Sequence, residues 1–178
     1  MTAAFDDAGV SAVLVGGVAV SLLGRPRFTR DIDALVDLDE ARWPDLVEAA
    51  HRARIVPRIE GALPFARRSR VLLLRHTPSQ IDIDVILGGL PFERATVAAA
   101  QPRSVGDLTV RLPRVEDLMI MKAVAQRPQD LLDLEGLMAA HPGADLALVR
   151  RWVAEFSVAA TMPALLEEFD RLAGRLGR

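Results

Sequence analysis

The chain has 178 residues, 51% of them hydrophobic, with 22 basic and 24 acidic side chains and a formal net charge of −2. That length holds one ample core, or a compact domain with a helical appendage, and the near balance of charge excludes a global polycation built for nucleic acid. The absence of cysteine excludes a disulfide scaffold and a thiolate zinc site. The opening MTAAFDDAGV carries acids where a secretory signal needs a basic start, and no apolar run approaches the roughly 20 residues of a membrane span. A cytoplasmic protein with no membrane partner is the expectation.

In chain order, residues 2–8 read as a short helix stopped at Gly9, and residues 11–15 as a buried strand. Gly16-Gly17 follows, then a helix over 18–23, an arginine-rich loop with Arg25, Arg27 and Arg30, and a strand that opens with Asp31-Ile32-Asp33. Alternate side chains of a strand share a face, so Asp31 and Asp33 point the same way, their Cα atoms roughly 7 Å apart. Two anions so close raise one another's pKa unless a cation compensates. Carboxylate oxygens without His or Cys suit a hard cation, Mg²⁺ or Mn²⁺. A glycine pair between strand and helix lets a phosphate approach the unpaired N–H groups of a helix start. Plainer readings stand beside these: Gly-Gly also marks ordinary turns, and a lone Asp-x-Asp also belongs to solvated strand edges. The dinucleotide fingerprint GxGxxG is absent. A calcium loop counted from Asp31 fails, because Leu35, Val36 and Arg42 fall where ligand, glycine and terminal acid belong.

Residues 39–53 form a predicted helix capped by Asp39, with Trp43, Leu46, Val47 and Ala50 on one face. Residues 57–70 hold Arg58, Arg67, Arg68 and Arg70 with Gly61 and Pro64 as breakers, and stay open between a loop, a short helix, a lid and a contact to an anionic substrate. Residues 71–75 and 80–87 read as a hairpin, and the second strand repeats the anomaly: Asp82 and Asp84 alternate with Ile81, Ile83 and Val85. If it lies beside the Asp31 strand, three or four carboxylates converge and a metal becomes nearly obligatory. Pro91 opens a helix to about Ala100, and short strands flank a Gly106-Asp107 turn within 105–112. Helices follow over 115–125, 129–140, 145–160 and 163–176. The third of the chain they occupy contains its only lysine, Lys122.

The order apolar strand, Gly-Gly, helix, Arg-x-Thr-x-Asp-Ile-Asp, in Gly16, Gly17, Arg27, Thr29, Asp31 and Asp33, resembles the nucleotidyltransferase fold of the DNA polymerase β superfamily. The later run, Glu116-Asp117-Leu118 with Met121-Lys122 and then Arg127-Pro128-Gln129-Asp130-Leu131-Leu132-Asp133, resembles its AbiEii branch, the nucleotidyltransferase toxins of toxin–antitoxin systems. The resemblance implies an α/β (α+β) fold: a mixed sheet with flanking helices over 1–112 and a C-terminal helical region over 113–178 packed on it. It implies transfer of a nucleoside monophosphate from NTP to an acceptor hydroxyl, with two Mg²⁺ ions held by Asp31, Asp33 and a third acid. Asp84 is preferred to Asp82 because the family's third acid stands just before the apolar end of its strand, here Val85-Ile86-Leu87. Gly16, Gly17, Arg27, Thr29, Arg30 and Lys122 become nucleotide contacts. Asp82, Asp130 and Asp133 become supports, or for the last two only helix-capping acids. The acceptor stays open between tRNA, for a toxin with a cognate antitoxin, and a small hydroxylated molecule such as an aminoglycoside or lincosamide. A nucleotide-binding module without turnover is the reading from another class.

Overall fold

The computed structural model describes Met1, Phe5, Asp6 and residues 8–175. The predicted helix over 2–8 falls largely outside the described residues. The chain divides into two compact units, one of Met1–Val18 with Phe28–Pro113 and one of Ala19–Arg27 with Arg114–Arg178.

The first unit is built on a five-stranded mixed sheet: β1 (Ala12–Val15), β2 (Asp31–Val36), β3 (Ile55–Pro57), β4 (Val71–His76) and β5 (Ile81–Leu87), in the order β1-β2-β5-β4-β3. Only the β2–β5 pair is parallel. Period-two alternation gives the sheet two different faces. Ala34 and Val36 of β2, Ile83, Val85 and Leu87 of β5, and Leu72 and Leu74 of β4 enter the core with Trp43, Leu46, Ala50, Ala62 and Ala66. Those last residues come from the helices α2 (Trp43–Arg52) and α3 (Ala62–Ser69), the second and third helices after α1 (Gly16–Leu23). The intervening strand positions therefore carry Asp31, Asp33, Asp82 and Asp84 on the opposite face. A helix α4 (Pro91–Ala99) and a hairpin of β6 (Gln101–Val105) and β7 (Leu108–Leu112) complete the unit. Pro91 opens α4 as expected, and the Glu93 carboxylate accepts from the Gly89 and Leu90 N–H groups at 2.7 and 2.9 Å, satisfying donors a helix start leaves unpaired.

Three expectations are corrected. Asp39 makes no capping hydrogen bond; a 3₁₀ turn, Glu40–Arg42, stands before α2. Ile55–Pro57, which gave no strand signal, pairs with β4 at the sheet's edge, where a proline N–H is not missed. The strand preceding Gly106 starts at Gln101 instead of Val105.

The second unit holds α5 (Val115–Ala125), α6 (Pro128–Ala140), α7 (Leu146–Ala160) and α8 (Ala164–Arg175) with the end of α1. Helix α5 packs against α6, α7 and α8. Such a central helix must be apolar beyond one stripe, and Leu118, Met119, Ile120 and Ala123 are all buried. Gln126 ends α5 in the left-handed region at φ +51°, and Pro128 then opens α6 with a fixed φ and no N–H to waste. The Asp145 carboxylate caps α7 by accepting from Leu148 N–H at 2.9 Å. No described helix is long and apolar enough to cross a membrane.

Candidate active site

The parallel pairing of β2 with β5 sets Asp31 opposite Asp82 and Asp33 opposite Asp84. Strands in register carry opposite residues on the same face, about 5 Å apart across the pair. Four carboxylates from two strands thus form a two-by-two array.

Each acid is placed by a different neighbour. Asp33 lies against Gly16, which sits at φ +58°, and a Cβ built there would stand 1.8 Å from Asp33 Oδ2. Glycine is required twice over, by its left-handed backbone and by the carboxylate occupying the side-chain space. Gly17 follows, buried, in the first turn of α1. Asp31 accepts a 2.7 Å hydrogen bond from the Thr29 hydroxyl, and Arg30 stands exposed beside it. Arg75, directly across the β4–β5 hairpin from Asp82, grips that carboxylate with Nε at 2.6 Å and Nη2 at 3.2 Å. Arg58 reaches both acids of β5, 2.6 Å from Asp82 Oδ2 and 2.6 Å from Asp84 Oδ1.

Electrostatics separate the two acids of β5. The Arg75 hydrogen bond, helped by Arg58, holds the Asp82 carboxyl below the usual range. Burial pushes Asp84 up; Arg58 pulls against it, while the charges of Asp33, Asp31 and Asp82 push it up further. Asp82 is a satisfied anion held by two guanidiniums, whereas Asp84 has Arg58 against its burial and three neighbouring acids. A divalent cation fits this donor set, since every candidate ligand is a carboxylate oxygen and the array repels itself. Among the described residues no three acids are closed into a ready-made metal cage, and Arg58 stands on the two acids of β5.

The other predicted residues gather in the second unit. Lys122 is buried, 4% exposed, with Nζ 2.7 Å from Asp130 Oδ1 and 3.0 Å from Asp133 Oδ2. It is no surface lysine. Arg27 holds Asp133 with two bonds of 2.9 and 3.0 Å, and Gln129 donates to the same carboxylate at 3.0 Å. Arg127 holds Asp130 at 2.6 Å. Asp130 and Asp133 lie three apart on α6 and therefore share a face, which is how one lysine meets both. Burial works against Asp130, but the Arg127 and Lys122 hydrogen bonds and charges outweigh it and hold its carboxyl below the usual range. Asp130 and Asp133 are thus engaged with cations and are more than solvated caps. Beside this network a cavity of about 440 Å³ is lined by Arg25, Arg27, Gln129, Asp133, Gly136 and Arg175, among others.

Sequence reasoning missed Arg58 and Arg75 as site residues. Arg75 was readable: counting back from the turn after His76 sets it opposite Asp82. In the arginine-rich segment Arg58, Arg67 and Arg70 each meet an acceptor of the chain itself. Arg67 pairs with Glu40 at 2.9 Å, and Arg70 lies 5.3 Å over the Trp43 ring and donates to the Gly88 carbonyl.

A Gly-Gly turn between strand and helix, an Asp-x-Asp on the next strand and a third acid on its parallel neighbour define a polymerase-β-like nucleotidyltransferase. Known proteins agree. The family described as nucleotidyl transferase AbiEii toxin, type IV toxin–antitoxin system, matches residues 1–175, and the chain belongs to that family. It is a nucleotidyltransferase, and the family implies an NTP substrate and usually a divalent metal. No curated protein matches the chain. Among solved structures, the solution structure of the antibiotic-resistance factor ANT(2'')-Ia superposes with a TM-score of 0.62 at 15% identity, covering 89% of this chain and 88% of that one. The crystal structure of ANT(2'')-Ia in complex with adenylyl-2''-tobramycin gives 0.59 at 17% identity, with 89% and 93% covered. An antigenic nucleotidyltransferase-like protein from Paracoccidioides brasiliensis gives 0.56 at 13%, with 95% and 88% covered. At these identities the likeness is one of fold.

Proposed function

We propose that the chain moves a nucleoside monophosphate from NTP to the hydroxyl of a tRNA, as the toxin of a toxin–antitoxin pair working in the cytoplasm, with Mg²⁺ or Mn²⁺ held by Asp31, Asp33 and Asp84. The observation that carries the reading is the β2–β5 register, which brings four acids, Asp31, Asp33 and Asp84 among them, from two distant stretches of sequence onto one face. Divalent ions held by Asp31, Asp33 and Asp84 would supply neutralisation of triphosphate charge and activation of the acceptor oxygen.

The chain's own residues do the positioning. Asp33 is fixed against Gly16 and Asp31 by Thr29, so two of the three acids are placed before a ligand arrives. The backbone at Gly16-Gly17, opening α1, suits the phosphates of the NTP, and Arg30 adds charge. The acceptor oxygen gives its proton to solvent and bonds to the α-phosphorus as the bond to the leaving oxygen breaks, and pyrophosphate departs with that electron pair. Arg27 and Lys122 are held by Asp130 and Asp133 in the ion network of the helical unit, where they serve its stability and orientation. Asp82, gripped by Arg75, supports the site without ligating the cation.

Membership of a toxin family supports an antitoxin as partner, and an essential cellular acceptor such as tRNA is in keeping with a toxin. A second reading, an aminoglycoside or similar small molecule, is favoured by the likeness to ANT(2'')-Ia and by an acidic face that would attract a polycation. Incubation with α-labelled NTPs, Mg²⁺ and either total tRNA or an aminoglycoside panel separates them. Label on tRNA is the expected result. Label on an aminoglycoside alone overturns the tRNA reading, and label on neither, with cation-dependent NTP binding retained, returns the chain to a binding module.

A further inference from the structure

Arg58 reaches the acidic face by a local route. It follows β3, and its N–H donates to the Leu73 carbonyl at 3.1 Å, which carries the β3–β4 ladder one residue further and turns the side chain over β5. Its planar fork then spans Asp82 and Asp84, one nitrogen to each at 2.6 Å. The two contacts are not equivalent. Asp82 is anchored independently by Arg75, so Arg58 is one of two guanidiniums on that carboxylate. On Asp84, Arg58 covers Oδ1 of the carboxylate that stands across the strand pair from Asp33. All three side chains remain about a quarter exposed, so water and ions reach the pair.

A guanidinium and a divalent cation want the same carboxylate oxygens, and two cations held within a few ångströms of each other repel strongly. Resting on the divalent-cation reading above, we propose that Arg58 is a displaceable counter-ion on Asp84: it gives way to the divalent cation at the Asp31–Asp33–Asp84 face while Asp82 keeps its guanidinium parked alongside. Without the cation, Arg58 keeps the array from repelling itself apart. With the cation in place, Arg58 retains its anchor on Asp82 and stays next to the reacting phosphates. The role is a positioning one, acting through Asp84.

The test is Mn²⁺ binding by isothermal titration to the whole protein, without nucleotide, for wild type, Arg58→Gln, Arg75→Gln, Asp82→Asn and Asp33→Asn. A partly exposed pair of this kind shifts an equilibrium by about fivefold. Arg58→Gln is therefore expected to bind Mn²⁺ about fivefold more tightly, whereas Arg75→Gln, an equal change of charge away from Asp84, stays within about twofold of wild type. Asp82→Asn, which leaves Arg58 to bear on Asp84 alone, binds more weakly, and it decides the matter should Arg58→Gln fail to fold. Arg58→Gln no tighter than wild type, an equal tightening in Arg75→Gln, or Asp82→Asn binding unchanged or tighter would overturn the counter-ion role while leaving the cation site intact. Absence of Mn²⁺ binding by every form, or binding indifferent to Asp33→Asn, would instead overturn the cation reading and the inference with it.

Discussion

Two clusters of acids in this chain look alike in sequence and are built on opposite terms. On the sheet, Asp31, Asp33, Asp82 and Asp84 face one another across parallel strands, and Asp84 is pushed toward protonation by burial and by the other three despite Arg58. In the helical unit, Asp130 and Asp133 meet Lys122, Arg27 and Arg127, and Asp130 is drawn the other way, its carboxyl held low. The helical network is satisfied by its own unit, with no buried side-chain polar atom among the described residues left without a partner. Acids compensated from within serve stability and orientation; acids that repel one another are, on the proposed reading, kept for a ligand. Substitutions in the two clusters should therefore move different observables.

The largest effect is expected on transfer. Asp84→Asn should lower the rate of nucleotide transfer by about a thousandfold, roughly 4 kcal/mol of transition-state stabilisation. Its urea midpoint should stay close to wild type, because the loss of the Arg58 pair is offset by relief of repulsion from the neighbouring acids. Comparable in energy but opposite in kind, Lys122→Ala removes the buried cation that Asp130 and Asp133 share, leaving each to its guanidinium alone, and should cost about 3 kcal/mol in urea unfolding. Gly16→Ala mixes the two: a side chain at φ +58° driven into the Asp33 carboxylate should cost about 1–3 kcal/mol of stability and displace the acid, lowering transfer about a hundredfold.

A smaller effect sharpens the comparison through pH. A carboxyl whose folded pKa is depressed contributes stability that is present above its unfolded value, about 3.9, and is lost as pH falls through the folded one. Asp130 is such a group. The gap between urea midpoints at pH 7 and pH 3 should narrow in Asp130→Asn, with the variant's loss confined to the neutral side. Smallest of all, Arg150→Ala breaks an exposed pair with Asp170 and should change stability by less than about 1 kcal/mol, with transfer unaffected.

The sequence made each strand's acids legible, because period-two alternation among Ile and Val leaves Asp31 with Asp33, and Asp82 with Asp84, on one face whatever the partner strand is. It did not make their pairing legible: the β2–β5 register joins segments some fifty residues apart, and no local spacing encodes it. The glycine at 16 was read as a phosphate approach, but its tightest constraint, the Asp33 carboxylate against its backbone, appears only once β1 and β2 pair. Lys122 drew attention as the only lysine, and Asp130 and Asp133 by spacing; that they share a buried site follows from how α5 packs on α6. Arg58 was hidden most deeply. The strand before it is three residues long and ends in proline, its partners lie 24 and 26 positions away, and the composition around it points to an external anion.

The most direct test of the sheet array as catalytic centre is the initial rate of labelled nucleoside monophosphate transfer by Asp33→Asn, using protein whose urea midpoint is shown to be within about 1 kcal/mol of wild type. The predicted result is loss of transfer by at least about a thousandfold in a protein that is folded. Transfer at the wild-type rate would contradict it and move the chemistry away from the paired strands.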